Sequence, residues 1–231
     1  MDNHIIGARR LGYASWWRTT VEATDRVLSG EMSDAQWHLD IARVVSRFYL
    51  AADTPWAGSG KGGDQADWEQ GRGGVSAALD QDGSFLDVGC ANGYFMECLP
   101  RWGAGAGVTI EPNGLEIVED VAELARTRLP HWRDRIWIGN VMSWEPPQRF
   151  TYVRAGLEMV LPWHRYRLLV RLMARFVSPG GRLILGPGSE PRDQPLNRTF
   201  LNAHGLTVGG VAERSHLQDS AAVYRTYWLN C

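Results

Sequence analysis

The sequence predicts an α/β protein, a doubly wound and mostly parallel sheet of seven strands with an antiparallel edge strand and a helical N-terminal cap. Three observations predict it. From Ser84 onward, short apolar runs alternate with stretches of helical periodicity. Phe85, Leu86 and Val88 give the apolar run of a strand covered on both faces, and it leads into the turn Gly89-Cys-Ala-Asn-Gly93. Upstream, Ser33-Asp-Ala-Gln36 forms a capping box, after which Trp37, Ile41, Val44, Val45 and Phe48 recur at helical spacing.

That capping box predicts a helix from about Asp34 to Ala51, preceded by a shorter one around 15–28 and separated from it by Gly30. Between Ala57 and Gly74, seven glycines crowd around Trp68, so this segment is expected to be a mobile loop or lid. Its Gly58-Ser-Gly-Lys-Gly-Gly63 looks like a phosphate-binding loop. Pro55 stands where the leading glycine belongs, however, and Gly62 replaces the hydroxyl residue that magnesium needs, so an ATPase is excluded. The alternating region then reads as a strand at 84–89, a helix from about 93, a strand near 105–110 and a helix from Gly114 to Leu129, stopped by Pro130. Strands near Arg135–Gly139 and Phe150–Arg154 follow, then a helix over Trp163–Val177, the turn Ser178-Pro-Gly-Gly181 and a strand at Arg182–Gly186. After a loop from Pro187 to Pro195, a short helix over Leu196–Ala203 leads to strands near Leu206–Ala212 and Ala221–Trp228, close enough to pair as an edge hairpin. The division this suggests is a cap and Gly-rich lid over 1–80 and a catalytic domain over 81–231.

Bulk properties narrow the function. At 231 residues and 44% hydrophobic content the chain holds a proper core, and a net charge of −2 gives no basic footprint for a polyanion, which disfavours nucleic acid. Cys90, Cys98 and Cys231 lack metal-site spacing and are odd in number, fitting a reducing cytoplasm. No apolar run approaches a membrane span, and no His and carboxylate cluster suggests a metal. Oligomeric state leaves no trace in the sequence.

The turn after the first strand lacks the G-x-G-x-x-G spacing of dinucleotide sites, so a cofactor without a pyrophosphate fits better. Roughly 20 residues on, Glu111 is expected to end the second strand, where its carboxylate can accept from both hydroxyls of a ribose.

Leu86-Asp-Val-Gly-Cys-Ala-Asn-Gly93 together with Glu111 resembles the class I S-adenosylmethionine-dependent methyltransferases, of Rossmann-like fold and bacterial small-molecule type, over about Ser84 to Arg182. Ala91 departs from the middle glycine of many members. The resemblance implies S-adenosylmethionine as cofactor. It puts Asp87 and the backbone of Gly89, Cys90, Ala91 and Gly93 near the methionine moiety, Glu111 on the ribose, and Asn140 and Val141 near the adenine, with Ser143 and Trp144 as further candidates.

Ligands of open α/β sheets sit beyond the carboxyl ends of the strands, so residues after the fourth strand are candidates for proton transfer: Glu158 first, His164 second. Arg154, Trp16, Trp17, Trp68 and Trp163 are candidates to bind the acceptor, the tryptophans as an aromatic wall that would also include Trp56. Arg167, Arg171 and Arg175 make a row expected to be a solvated helix face. The expected activity is methyl transfer to N, O or C of a small molecule, possible in secondary metabolism. The alternatives are a ribosomal RNA methyltransferase and a non-catalytic cofactor-binding interaction module.

Overall fold

The computed structural model describes residues 18–60 and 64–231. Helices α1 (18–28) and α2 (Asp34–Leu50) come first, and Ser33 caps α2 by accepting from the Gln36 N–H at 3.2 Å. Then follow α3 (Gln65–Arg72), β1 (Gly83–Val88), α4 (Tyr94–Gly105), β2 (Ile110–Glu116), α5 (Glu119–Arg128), β3 (Ile136–Ile138) and β4 (Phe150–Ala155). The chain continues through α6 (Arg165–Arg175), β5 (Val177–Pro191), α7 (Leu196–Ala203), β6 (Gly210–Ser215) and β7 (Ala222–Asn230). Among the described residues, no helix is long and apolar enough to cross a membrane.

The strands form one seven-stranded sheet in the order β3-β2-β1-β4-β5-β7-β6. From β3 to β5 it is parallel; β7 runs against β5 and β6 against β7, which makes the antiparallel edge. Successive β1 side chains alternate between two cores. Phe85 packs with Phe95, Tyr152 and Ile184 on one face, while Leu86 and Val88 join Leu115, Val153 and Leu183 on the other. Because the strand order reverses between β1 and β4, the crevice beyond their carboxyl ends is the expected ligand site.

Three sequence expectations are corrected. The second strand lies at 110–116 and not near 105–110, so the following helix starts at Glu119 and Gly114 is inside the strand. Pro112-Asn-Gly114 reads as a turn by propensity, but packing overrides it. Gly114 leaves space for Cys90 and Met96, whose sulfurs would each lie 2.7 Å from a Cβ there, and the buried Asn113 amide donates to Phe85 O and Glu111 O. Pro112 is tolerated because β3 pairs only with Gly114–Glu116, leaving the start of β2 open on that side.

Second, the Gly-rich stretch is largely folded. Gln65–Arg72 is a helix, Gly73–Ala78 is a 3-10 turn, and Trp68 is fully buried, stacked on Trp102 at 6.0 Å between ring centres. The glycines serve close packing: a Cβ on Gly74 would sit 2.9 Å from the Thr226 hydroxyl. Third, β5 continues through most of the expected 187–195 loop, pairing with β7 as far as Pro191.

Candidate functional site

β1 ends in a turn of unusual backbone. Gly89, Ala91 and Gly93 have φ of 70°, 50° and 78°, the left-handed region, and Ala91 is the lone non-glycine with positive φ among the described residues. The Gly89 and Cys90 N–H groups donate to Leu115 O at 2.7 and 3.1 Å, tying this turn to the end of β2. Gly93 caps α4 where a Cβ would meet Leu129 at 2.6 Å.

The acid at the end of β2 is Glu116. One carboxylate oxygen accepts from the Ala91 N–H at 2.9 Å and the other from the Ile117 and Val118 N–H groups at 2.9 and 3.1 Å. Burial pushes this carboxyl above the usual range, against the pull of those three donors. Glu111 is therefore corrected as the strand-end acid. It lies opposite Ser84 near the start of β2, 64% exposed, and faces Arg135 at 3.6 Å. The sequence carried a signal for Glu116: Ile117 and Val118 lead directly into the periodic Val121, Ala122 and Ala125 of a helix, whereas Glu111 precedes Pro-Asn-Gly.

A cleft of about 190 Å³ opens beyond these strand ends. Its sheet-side wall is Val88, Gly89, Leu115, Glu116, Ile117, Val118 and Gly139–Val141. Facing it is α2, which contributes Trp37, His38, Ile41, Ala42, Val45, Ser46 and Tyr49, one face at helical spacing. Glu158 and Met159, in the 3-10 turn after β4, complete the lining. Beneath the cleft, Arg154 donates to Asp87 at 2.8 Å and to Gly186 O at 2.8 Å. Burial works to lower the Arg154 guanidinium, but the charge and hydrogen bond of Asp87 outweigh it and raise it. The second oxygen of Asp87 is buried and has no hydrogen-bond partner among the described residues. Arg72 lies within the field of Asp87, Arg154, Tyr49 and Glu158, and burial lowers it, as does the like charge of Arg154. Burial also pushes the Tyr49 hydroxyl up to about 12.

The structure sorts the other expected residues. Gly89, Asn140, Val141 and Glu158 line the cleft. Asp87, Ala91 and Gly93 shape the turn beneath it, and Cys90 turns its thiol into the core, where burial raises it well above the usual range. Trp144 packs against Trp137 and Phe176, and neither it nor Ser143 lines the cleft.

Among the expected acceptor contacts, Trp68 is corrected to a core residue, and Arg154 is corrected to the buried partner of Asp87. Trp163 is 44% exposed and outside the cleft lining, as is Trp56, which packs on Tyr94. Trp16 and Trp17 lie outside the described residues. His164 is corrected too: it does not line the cleft, and its ring binds the Asp34 carboxylate, fastening α2 to the turn before α6. The arginine row is engaged in part. Arg171 donates to Val141 O and Trp144 O, and Arg171 and Arg175 pair with Glu145 at 3.0 and 2.9 Å, bracing the loop that carries Asn140. Sequence reasoning missed Glu116, His38 and Tyr49 as cleft residues. No group of three or more His, Cys, Asp or Glu among the described residues is arranged to hold a metal ion.

No family model matches the chain. It is 29% identical over 142 residues to a tRNA U34 carboxymethyltransferase of Azotobacter vinelandii, a match covering 60% of this chain and 40% of that protein's length. Among solved structures, the 1,6-didemethyltoxoflavin-N1-methyltransferase of Burkholderia thailandensis superposes with a TM-score of 0.63 at 14% identity, over 86% of this chain and 90% of that one. The chain has the class I methyltransferase fold. The geranyl diphosphate C-methyltransferase of Streptomyces coelicolor gives a TM-score of 0.53 at 14% identity over 84% of this chain and 97% of that one. An S-adenosylmethionine-dependent methyltransferase of Geobacter sulfurreducens gives 0.52 at 13% identity over 81% and 97%. All three of those structures hold S-adenosylhomocysteine. In this fold, the cleft between α2 and the ends of β1 and β2 is the candidate ligand site.

Proposed function

We propose that this chain binds S-adenosylmethionine and transfers its methyl group to nitrogen, oxygen or carbon of a small molecule. The observation that carries the reading is Glu116, a buried carboxylate in the cleft beside a left-handed turn of bare backbone. An ionised carboxylate offers about four acceptor sites, and Glu116 uses three on backbone donors, so capacity remains for a ribose hydroxyl. The unpartnered Asp87 oxygen and the Arg72 guanidinium, within each other's field, suit the ammonium and carboxylate ends of an amino acid. Asn140 and Val141 would border the adenine, and the backbone of Gly89 would lie against the chain between.

Bound there, the cofactor would supply an electrophilic methyl on a sulfonium. The protein's own residues would then mainly align the reactants and exclude water. In this reading residues 18–60 act as the cap, and the segment from Gln65 onward, packed through Trp68 into the core beside the sheet, belongs to the cofactor-binding domain. A small acceptor is supported by the α2 wall closing the cleft, by the net charge of −2 and by the two fold relatives named for small-molecule acceptors. Three unpaired cysteines support a reducing, cytoplasmic setting.

A second reading, transfer to an RNA base, is favoured by the likeness to a tRNA-modifying enzyme. Filter binding of tRNA across a salt series separates the two: affinity falling steeply with salt supports RNA, and no retention at low salt supports a small acceptor. The cofactor assignment is tested by calorimetry with S-adenosylhomocysteine. Saturable binding is expected, and its absence at millimolar ligand would retire the methyltransferase reading.

A further inference from the structure

This inference rests on the methyltransferase reading and names the group that handles its proton. We propose that His38 of α2 takes the proton released by the methyl acceptor, in the role the sequence pattern suggested for His164. Four observations support the exchange of roles. His38 lines the cleft and His164 does not. The His164 ring is engaged with Asp34, whereas His38 has no hydrogen-bond partner among the described residues and stands at right angles to the Trp37 ring, 5.1 Å between centres. Glu158, the other candidate, sits among the guanidinium groups of Arg72, Arg154 and Arg165, in the turn after β4 and not on α2.

The fourth observation is electrostatic. The charged groups that act on His38 are Asp34, one helical turn before it on α2, and His164 from the turn ahead of α6; Tyr49, Glu116 and Glu158 line the same cleft. Burial lowers the His38 imidazole, His164 adds to that, and Asp34 opposes it. The ring is therefore neutral near pH 7 and free to accept, and Asp34 stabilises the imidazolium once it forms.

The step balances as follows for an amine or hydroxyl acceptor. Its lone pair bonds to the methyl carbon as the carbon–sulfur bond breaks, and that electron pair stays on sulfur to give a neutral thioether. The proton on the acceptor atom passes to a ring nitrogen of His38, which, being only half-buried, returns it to solvent.

An affinity label tests this without knowledge of the acceptor. The probe is an adenosine carrying a haloethylamino group at its 5′ carbon, which closes to an electrophilic aziridinium in place of the sulfonium methyl. Mass spectrometry of peptides from the labelled wild-type protein should place the adduct on His38. Excess S-adenosylhomocysteine should suppress it, and the labelling rate should rise with pH as an imidazole deprotonates. His38→Gln should cut labelling about tenfold or more, well beyond any change in S-adenosylhomocysteine affinity measured by calorimetry. If that variant does not fold, the wild-type adduct map decides alone. An adduct on Glu158 or elsewhere, or none in a protein that binds S-adenosylhomocysteine, overturns the role of His38. A protein that does not bind S-adenosylhomocysteine at all fails at the methyltransferase reading, and this inference falls with it.

Discussion

The two walls of the cleft are built by different means. The sheet-side wall is held by backbone: Gly89 and Cys90 donate to Leu115 O, Glu116 clasps three N–H groups, and Asp87 and Arg154 close the floor. The α2 wall is held by side chains, chiefly the cluster of Trp37 with Ala23, Met32 and Leu161, and the Asp34–His164 pair. A wall fixed by hydrogen-bonded backbone keeps its shape whatever ligand enters. One fixed by a small apolar cluster and a partly exposed histidine–carboxylate contact can adjust to a ligand. In the proposed function, cofactor recognition would fall to the rigid wall and acceptor recognition to the adaptable one.

The largest effect expected is on the rigid side. Arg154→Met leaves the Asp87 carboxylate buried and unpaired, which should cost about 3–5 kcal/mol in urea unfolding. A loss under about 1 kcal/mol, the scale of an exposed pair, would show that the floor of the cleft is wet. On the adaptable side, Trp37→Ala removes a ring that is 2% exposed. Amide exchange along α2 should accelerate by about a hundredfold, equivalent to roughly 3 kcal/mol of lost packing, while β1 amides keep their protection. Equal acceleration in both would mean that the walls open as one unit.

The rigid wall was mostly legible in the sequence and the adaptable one was not. Phe85–Gly93 announces a strand and a tight turn because each local preference there agrees with the fold. Glu116 was missed because Pro112-Asn-Gly114 has turn propensity that only tertiary packing around Cys90, Met96 and Phe85 overrules. Trp68 was missed for the opposite reason: its glycine neighbours look mobile locally, yet they let the segment press against Thr226 and Arg214. The α2 periodicity predicted the helix and its apolar stripe, but periodicity does not say what the stripe covers. His38 could be placed in one cleft with Glu116 only once the chain had folded back, and the same fold brought Asp34 to His164.

Smaller effects sharpen the contrast. Burial depresses His38 below its ordinary 6.5, so the folded protein binds that proton less readily than the unfolded chain. Its contribution to stability is full above that value and is lost as pH falls through the depressed one. His38→Gln should therefore flatten the acid limb of thermal stability measured from pH 7 downward, and an unchanged limb would show the ring to be solvated. On the rigid side, Ala91→Gly relieves a non-glycine residue at φ 50°. It should raise stability by about 0.5–1 kcal/mol, the strain of a left-handed residue less the extra chain entropy of glycine. A destabilised variant would show that the Ala91 methyl packs usefully.

The central claim is that Glu116, and not the other acid of the same strand, grips the ribose. Calorimetry of S-adenosylhomocysteine with Glu116→Ala and Glu111→Ala tests it directly. Removing a charged hydrogen-bond acceptor worth about 1.5–3 kcal/mol should weaken binding by roughly 10- to 150-fold in Glu116→Ala, with Glu111→Ala equal to wild type. Loss of affinity in Glu111→Ala with Glu116→Ala unaffected would contradict the account.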